Sequence, residues 1–248
     1  MSVEIINLSK YVYVFLRIFG FVFISPVFVP FKFSYIIKII ISLAMTFMIT
    51  PLLIVSYDGS LNVGKMILEF MLGFSMGFIV KIGFDLFLWL GEILDYQAGL
   101  SMTKVLNTIT EEESGVFPSF LYILSISVFF SLNAHIWILN FIYQSFIYMP
   151  YAKYIGNSID VIISSYYEFM IISIKFASPL ILILIIVEIA LGFFSKIMPN
   201  INFLILGQPI RLIFSISFLY VLLYGFISLC ENVSSVIFEK LNSFIMRL

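Results

Sequence analysis

Long stretches without a charged side chain constrain this sequence more than any other feature. Residues 39–57, 114–152 and 212–230 contain no Asp, Glu, Lys or Arg. A helix needs about 20 mostly apolar residues to cross the hydrocarbon core of a bilayer. Each stretch therefore predicts a membrane-spanning helix, and 114–152 is long enough for one span with both of its interfacial ends.

The composition excludes a water-soluble domain. Apolar residues make up 62% of the 248 residues and charged residues 11%, against about 45–50% and about 25% in ordinary soluble domains. A domain of this size has too much surface to cover without polar side chains. The 13 Lys and Arg are not clustered, and with 14 Asp and Glu the net charge is −1, so nothing indicates a nucleic-acid-binding patch.

Three further apolar segments, 11–31, 68–90 and 166–194, are interrupted by charges, which gives about six apolar helical segments. In residues 231–248 apolar side chains recur at helical spacing, which predicts an amphipathic tail at the membrane interface or against a partner. No polar stretch is long enough to fold alone. We expect one all-α integral membrane domain over residues 1–248.

Prolines lie within or beside the apolar segments. Each removes a backbone donor and disfavours helix at the preceding residue, so we expect proline-broken helical hairpins, above all over residues 178–209, packed against protein rather than lipid. The basic residues in the loops are consistent with such packing against protein. Six alternating spans would leave five Lys and Arg on each side of the membrane, so the charges indicate no membrane orientation. The six prolines that indicate such breaks are Pro26, Pro30, Pro51, Pro179, Pro199 and Pro209.

Charged side chains inside apolar segments need partners, because ionisable groups are costly at membrane depth. Lys81 and Asp85 are four residues apart and can pair on one helix face. Arg17 and Glu188 have no opposite charge at such spacing, and each requires another helix, another subunit or water. Glu188 also fits an alternative, a small multi-pass solute permease with a proton-relay carboxylate, although no internal repeat typical of such carriers is found.

The segment from Gly73 to Gly77 fits two motifs at once. As G-x-x-x-G it allows two helix backbones to approach closely. As G-x-S-x-G, with Ser75 at its centre, it matches the nucleophile elbow of serine hydrolases, and His135 would be the partner base. The elbow requires a strand before it, and no strand is indicated, so helix packing is the favoured interpretation and an intramembrane hydrolase remains an alternative.

Several motifs in chain order resemble the FliR/SctT family of type III export-gate membrane proteins. The resemblance covers nearly the whole chain. Its pieces are Arg17 and Gly20 with Pro26 and Pro30; Glu69, Gly73 and Gly77; Gly91, Glu92, Gln97 and Gly99; Pro179, Glu188, Gly192, Lys196, Pro199 and Asn202; and Pro209 with Arg211.

The stretch around His135 and the later Gln144, Ser145, Phe146 and Pro150 are similar to the flagellar branch of the family. Two positions depart from its pattern. Asn200 follows Pro199 where the family has Gln, and residues 110–113 replace a loop that often reads Asp-Pro.

The resemblance implies a non-enzymatic subunit of the flagellar type III protein export gate. Members assemble with FliP-like and FliQ-like subunits, here also with a FlhB-like subunit expected, in the bacterial inner membrane within the flagellar basal body. Unfolded substrates pass through the centre of this assembly. A virulence type III secretion subunit of the same family is the nearest alternative. No cofactor, metal or nucleotide is expected, since neither a P-loop nor a metal-ligand spacing is present, and Cys230 and His135 are the only residues of their kinds.

In the family the loop after the G-x-x-x-G helix helps to plug the closed pore. This loop corresponds to residues 102–118, the only charge-rich loop in the chain, and deleting residues 108–116 is expected to make the closed gate leaky. Structural or inter-subunit roles are expected for Arg17, Gly73, Gly77, Lys81, Asp85, Glu188, Pro199, Asn202 and Arg211. The expected plug residues are Met102, Thr108, Glu111, Glu112, Glu113 and Gly115.

Overall fold

The computed structural model describes residues 2–27, 34–53, 62–100, 115–150, 159–197 and 203–247. Within these ranges every regular element is a helix, which confirms the all-α fold class. The helices are α1 (Ser2–Ile24), α2 (Tyr35–Ile49) with a short 3-10 turn (Thr50–Leu52), α3 (Val63–Ala98), α4 (Val116–Ser131), α5 (Ala134–Tyr148), α6 (Ile159–Ile197) and α7 (Phe203–Arg247).

Two lysines tie α1 to α2 at opposite ends. The Lys38 ammonium on α2 donates to the Phe23 carbonyl in the last turn of α1, at 2.7 Å. The Lys10 ammonium on α1 donates to the Leu53 carbonyl just after the 3-10 turn. Carbonyls at helix C-termini lack intrahelical partners and attract cations. Each lysine therefore satisfies a carbonyl at the end of the other helical segment, which explains why charges are tolerated at the borders of these apolar segments.

The predicted span over 114–152 is two helices, α4 and α5, separated by Leu132 and Asn133. Asn133 adopts a left-handed conformation with φ 57°, which an asparagine accepts more readily than other non-glycine residues. Its N–H donates to the Phe130 carbonyl at 3.0 Å, and its own carbonyl accepts from Ile136 at 3.0 Å. The two helices have 16 and 15 residues, so each falls short of the about 20 that span a bilayer.

The interruptions expected at Pro179 and Pro209 do not occur, because α6 and α7 continue through them. In apolar surroundings, unwinding the helix would leave several backbone groups without partners, whereas a proline removes only one hydrogen bond. The helix therefore continues past the proline. The C-terminal amphipathic segment is likewise the last part of α7 rather than a separate helix. Its apolar face is buried, with Ile237, Leu241 and Phe244 at most 1% exposed.

The chain divides into two compact units. The first comprises residues 1–83, 129–167 and 233–248, and the second residues 84–128 and 168–232. Among the described residues, four helices are long and apolar enough to cross a membrane, or up to five if the bent pair α4 and α5 forms one span. They are residues 35–52, 63–96, 160–197 and 209–246.

Candidate functional site

A fully buried arginine forms the centre of the first unit. The Arg17 Nε atom donates to Glu69 Oε2 at 2.6 Å, and the two side chains are 0% and 1% exposed. The Nη1 and Nη2 atoms donate to the carbonyls of Ser145 and Met149, each at 2.9 Å. The guanidinium also lies 4.3 Å from the centre of the Phe146 ring. One cation thus joins α1, α3 and the end of α5.

The surroundings of Arg17 explain why this charge is stable without water. Ser145 and Met149 lie at the C-terminal end of α5, where the helix dipole is negative. The planar guanidinium presents several donors in fixed directions and so can serve a carboxylate and two carbonyls at once. The partner of Arg17, which sequence reasoning left open, is Glu69 together with these two carbonyls.

Close contact between α1 and α3 surrounds this ion pair. A Cβ atom built on Gly73 would lie 1.9 Å from the Arg17 carbonyl oxygen, and one on Gly77 would lie 2.6 Å from the Phe21 carbonyl oxygen. From the other side, a Cβ on Gly20 would lie 2.3 Å from the Phe70 carbonyl oxygen. The two backbones touch at all three glycines, so the G-x-x-x-G motif forms a contact within the chain.

Ser75 does not have the geometry that the hydrolase interpretation of the same motif requires. Ser75 lies inside α3, and its hydroxyl donates to the Met71 carbonyl one turn earlier at 2.8 Å. A nucleophile elbow places its serine on a sharp turn between a strand and a helix. His135 lies in the first turn of α5, and its ring packs against Phe130 with centroids 5.0 Å apart.

A second set of contacts, in the second unit, fixes both ends of the expected plug loop. The Asp95 carboxylate, near the end of α3, accepts from the Phe117 N–H in the first turn of α4 at 3.1 Å. A Cβ on Gly91 would lie 2.3 Å from the Pro118 Cα atom, so α3 and α4 are in backbone contact here. We call Gly91, Asp95, Phe117 and Pro118 the loop anchor.

The ends of the two anchor helices are also well capped. Gly99 follows α3 with φ 75°, and the N–H groups of Gly99 and Leu100 donate to the Tyr96 and Asp95 carbonyls at 3.2 and 2.9 Å. This pattern is the Schellman motif, which glycine makes at low cost. At the start of α4 the Gly115 carbonyl accepts from the Ser119 N–H and hydroxyl. The other expected plug residues, Met102, Thr108, Glu111, Glu112 and Glu113, lie outside the described residues.

The hairpin of α6 and α7 holds the partner of Glu188. The Arg211 Nη2 atom lies 3.7 Å from Glu188 Oε1, with side chains 34% and 49% exposed. The Arg211 Nε atom is buried and has no hydrogen-bond partner among the described residues. Lys81 and Asp85 lie one turn apart on α3, and Pro199 and Asn202 lie outside the described ranges. No group of three or more His, Cys, Asp or Glu side chains in the described part of the chain could hold a metal ion.

Residues 8–236 match the family described as bacterial export proteins, family 1. The chain belongs to this family. It is 27% identical to the flagellar biosynthetic protein FliR of Buchnera aphidicola (Baizongia pistaciae), over 79% of this chain and 74% of the relative. It is 25% identical to the FliR of Escherichia coli K12, over 73% and 70%. The Yop proteins translocation protein T of Yersinia pestis is 26% identical over 61% of this chain and 58% of its own length.

In this bacterial export protein the match covers the buried ion pair, the loop anchor and the α6–α7 hairpin. Sequence reasoning missed the pairing of Arg17 with Glu69, and also Asp95 as a loop anchor. A signal for the pairing was present, because Glu69 is the acidic residue one turn before Gly73 in an otherwise apolar segment. The sequence contained no such signal for Asp95, because its role as a loop anchor depends on where α4 begins.

Proposed function

We propose that this membrane protein is a non-enzymatic subunit of the flagellar type III export gate in the bacterial inner membrane, within the basal body. There it helps to form and close the channel that unfolded flagellar substrates cross. The family match over residues 8–236 carries the proposal. The matches to FliR proteins cover 90% of the chain for another Buchnera aphidicola strain and 100% for Pectobacterium carotovorum, while the matched share for the Yersinia protein is smaller.

The exposed apolar surface supports a role inside an assembly. In an apolar 18-residue stretch of α6 only 12% is buried within the chain, and in that of α7 only 22%, against 61% in that of α3. Apolar surface on this scale must be covered by lipid or by other subunits. We propose FliP-like, FliQ-like and FlhB-like subunits as the proteins that cover part of it.

Subunit counting tests the proposed assembly. After purification in mild detergent, native mass spectrometry should find one copy of this chain with several copies of two other small membrane proteins. A monomer or homodimer with no other protein bound would instead favour a solute permease. The lone Glu188 that suggested a permease gives that alternative less support, because it lies beside Arg211.

The plug role is proposed for the loop between the two halves of the loop anchor. Gly91 and Asp95 hold its start close to its end at Phe117 and Pro118. The residues on either side of the loop are therefore held close together. Its acidic residues Glu111, Glu112 and Glu113 are its main charges.

A shortened deletion tests the plug directly. Since α4 begins at Val116 and Gly115 caps it, the deletion should cover residues 108–113 and leave the anchor intact. The expected result is a normally assembled complex that is permeable to small molecules when the gate is closed. The matched control replaces the same six positions with a Gly-Ser segment of equal length, which separates loss of the side chains from loss of length. Normal assembly with unchanged permeability in both variants would refute the plug role.

A further inference from the structure

Asn133 is the only residue other than glycine with a positive φ in the part of the chain that the structure describes. It lies between α4 and α5 with φ 57° and ψ 20°, and the two helices are bent by 72° at this point. Left-handed backbone is unfavourable for L-residues, and asparagine only reduces that cost. We call Leu132 and Asn133 the α4–α5 turn, and its backbone conformation makes it a strained bend.

The local sequence does not require this bend. Residues 119–149 contain neither glycine nor proline, and Leu132 and Ala134, on either side of Asn133, are good helix formers. The Asn133 side chain makes no capping hydrogen bond to α5, so no side chain of the turn compensates the strained backbone. A continuous helix through this point is therefore compatible with the sequence, and the bend depends on what holds the far ends of the two helices.

The far end of α5 is held more firmly than that of α4. Arg17 donates to two carbonyls at the end of α5, and the buried residues of α5 are spaced three and four apart, so they cover a broad face. Beyond the loop anchor, α4 has a single row of buried side chains at four-residue spacing, namely Leu121, Ser125 and Phe129. The contacts of the described residues therefore restrain α4 less than α5.

We propose that the α4–α5 turn is a hinge with two states. In the bent state α4 keeps Phe117 on Asp95, and the loop anchor is closed. In the second state Asn133 adopts the ordinary helical conformation, α4 turns toward the axis of α5, and Phe117 leaves Asp95. Release of the strain at Asn133 offsets part of the cost of opening the anchor. The hinge does not depend on the channel role, whereas its effect on the gate rests on the proposed plug function.

A distance between α4 and α5 measures the two states directly. In the full-length chain, with the subunits that co-purify with it, Cys230→Ala removes the only cysteine. Spin labels are then attached through Ile123→Cys on α4 and Ile147→Cys on α5, at positions that are 65% and 50% exposed. At the usual helical rise the two positions are about 29 Å apart along helices bent by 72° and about 36 Å apart in a straight helix. Pulsed electron paramagnetic resonance resolves this difference.

Substitutions of Asn133 should shift the two populations in opposite directions. Asn133→Ala should raise the population at the longer distance about tenfold, because alanine is the best helix former and rarely adopts the left-handed conformation. Asn133→Gly should lower it, because glycine accepts a positive φ and disfavours a helix interior. Asn140→Ala, on an exposed position of α5, is the matched control and should change nothing. The same distances in Asn133→Ala as in wild type would overturn the hinge.

Permeability of the closed gate to small molecules connects the hinge with the plug. Asn133→Ala should make the gate leaky, as deletion of residues 108–113 should, whereas Asn133→Gly and Asn140→Ala should not. A leak in the deletion variant but not in Asn133→Ala would overturn the connection between hinge and plug. A longer distance in Asn133→Ala without a leak in either variant would refute the proposed plug function and support the hinge alone.

Discussion

Breaking the buried ion pair on one side should destabilise the protein more than removing both charges. In wild type, Arg17 and Glu69 are at most 1% exposed and 2.6 Å apart. Removing one partner of a buried pair leaves a charge without compensation and costs about 3–5 kcal/mol. That is a large part of the about 5–15 kcal/mol that stabilises a typical domain.

The two single variants should differ in a way that the geometry fixes. Glu69→Gln keeps an acceptor for Nε, and Arg17 retains the Ser145 and Met149 carbonyls, so we expect the lower end, about 3 kcal/mol. Arg17→Met leaves the Glu69 carboxylate buried and removes the donor from Met149 as well, so we expect about 5 kcal/mol. The Ser145 carbonyl still accepts from the Met149 N–H at 3.1 Å and adds little.

The double variant Arg17→Met with Glu69→Leu has no buried charge left. Its remaining cost is the Met149 carbonyl, about 1–3 kcal/mol, so it should be more stable than Arg17→Met alone. Unfolding in mixed micelles titrated with sodium dodecyl sulfate measures the free energy of unfolding for all three. Glu92→Gln, on the exposed side of the same helix, is the matched control and should change it by less than about 1 kcal/mol. Additive effects of the two single variants would refute the reasoning.

Two further predictions concern backbone contacts. Gly73→Ala should destabilise the protein by about 1–3 kcal/mol or more through overpacking against Arg17. Gly192→Ala, whose added Cβ meets nothing within 4 Å, should instead stabilise α6 by about 0.5–1 kcal/mol. Thermal unfolding in detergent compares the two variants, and equal effects would contradict the close approach of α1 and α3. Asp95→Ala should lower the free energy of unfolding by about 0.5–2 kcal/mol, as loss of a helix cap does. It should also speed amide hydrogen exchange at the start of α4 and leave exchange in α5 unchanged. Unchanged exchange at Phe117 would exclude Asp95 as an anchor.

Charge and hydropathy predicted most of the helices, because apolar stretches and their lengths are local properties of the sequence. The break between α4 and α5 was not predictable in this way. Asn133 carries the left-handed turn there, and asparagine is a weaker signal for such a conformation than glycine. Conversely, Pro179 indicated a break that the helix does not make, because surroundings rather than the residue alone decide whether a helix continues.

The candidate site was predictable only in part, and for a related reason. A buried arginine in an apolar segment requires a partner by electrostatics alone, so the sequence established the need. The choice of Glu69, and of two carbonyls at the end of α5, depends on which helices pack together. That information lies in the glycine contacts between α1 and α3, and the spacing of Gly73 and Gly77 predicts a close approach without naming the opposite helix.

The surface of the described part of the chain carries many large apolar side chains, unlike that of a water-soluble protein. Arg17 and Glu69 are at the centre of the first unit, while Tyr220, Tyr224 and Ile186 are 79%, 95% and 66% exposed. In water this arrangement would leave most of the hydrophobic stabilisation unused, since apolar surface gains only when it leaves water. It becomes favourable when the outer surface meets lipid or apolar faces of other subunits. The stability of this chain is therefore a property of the chain together with what covers α6 and α7, and the effect of any variant on those helices must be measured with that covering in place.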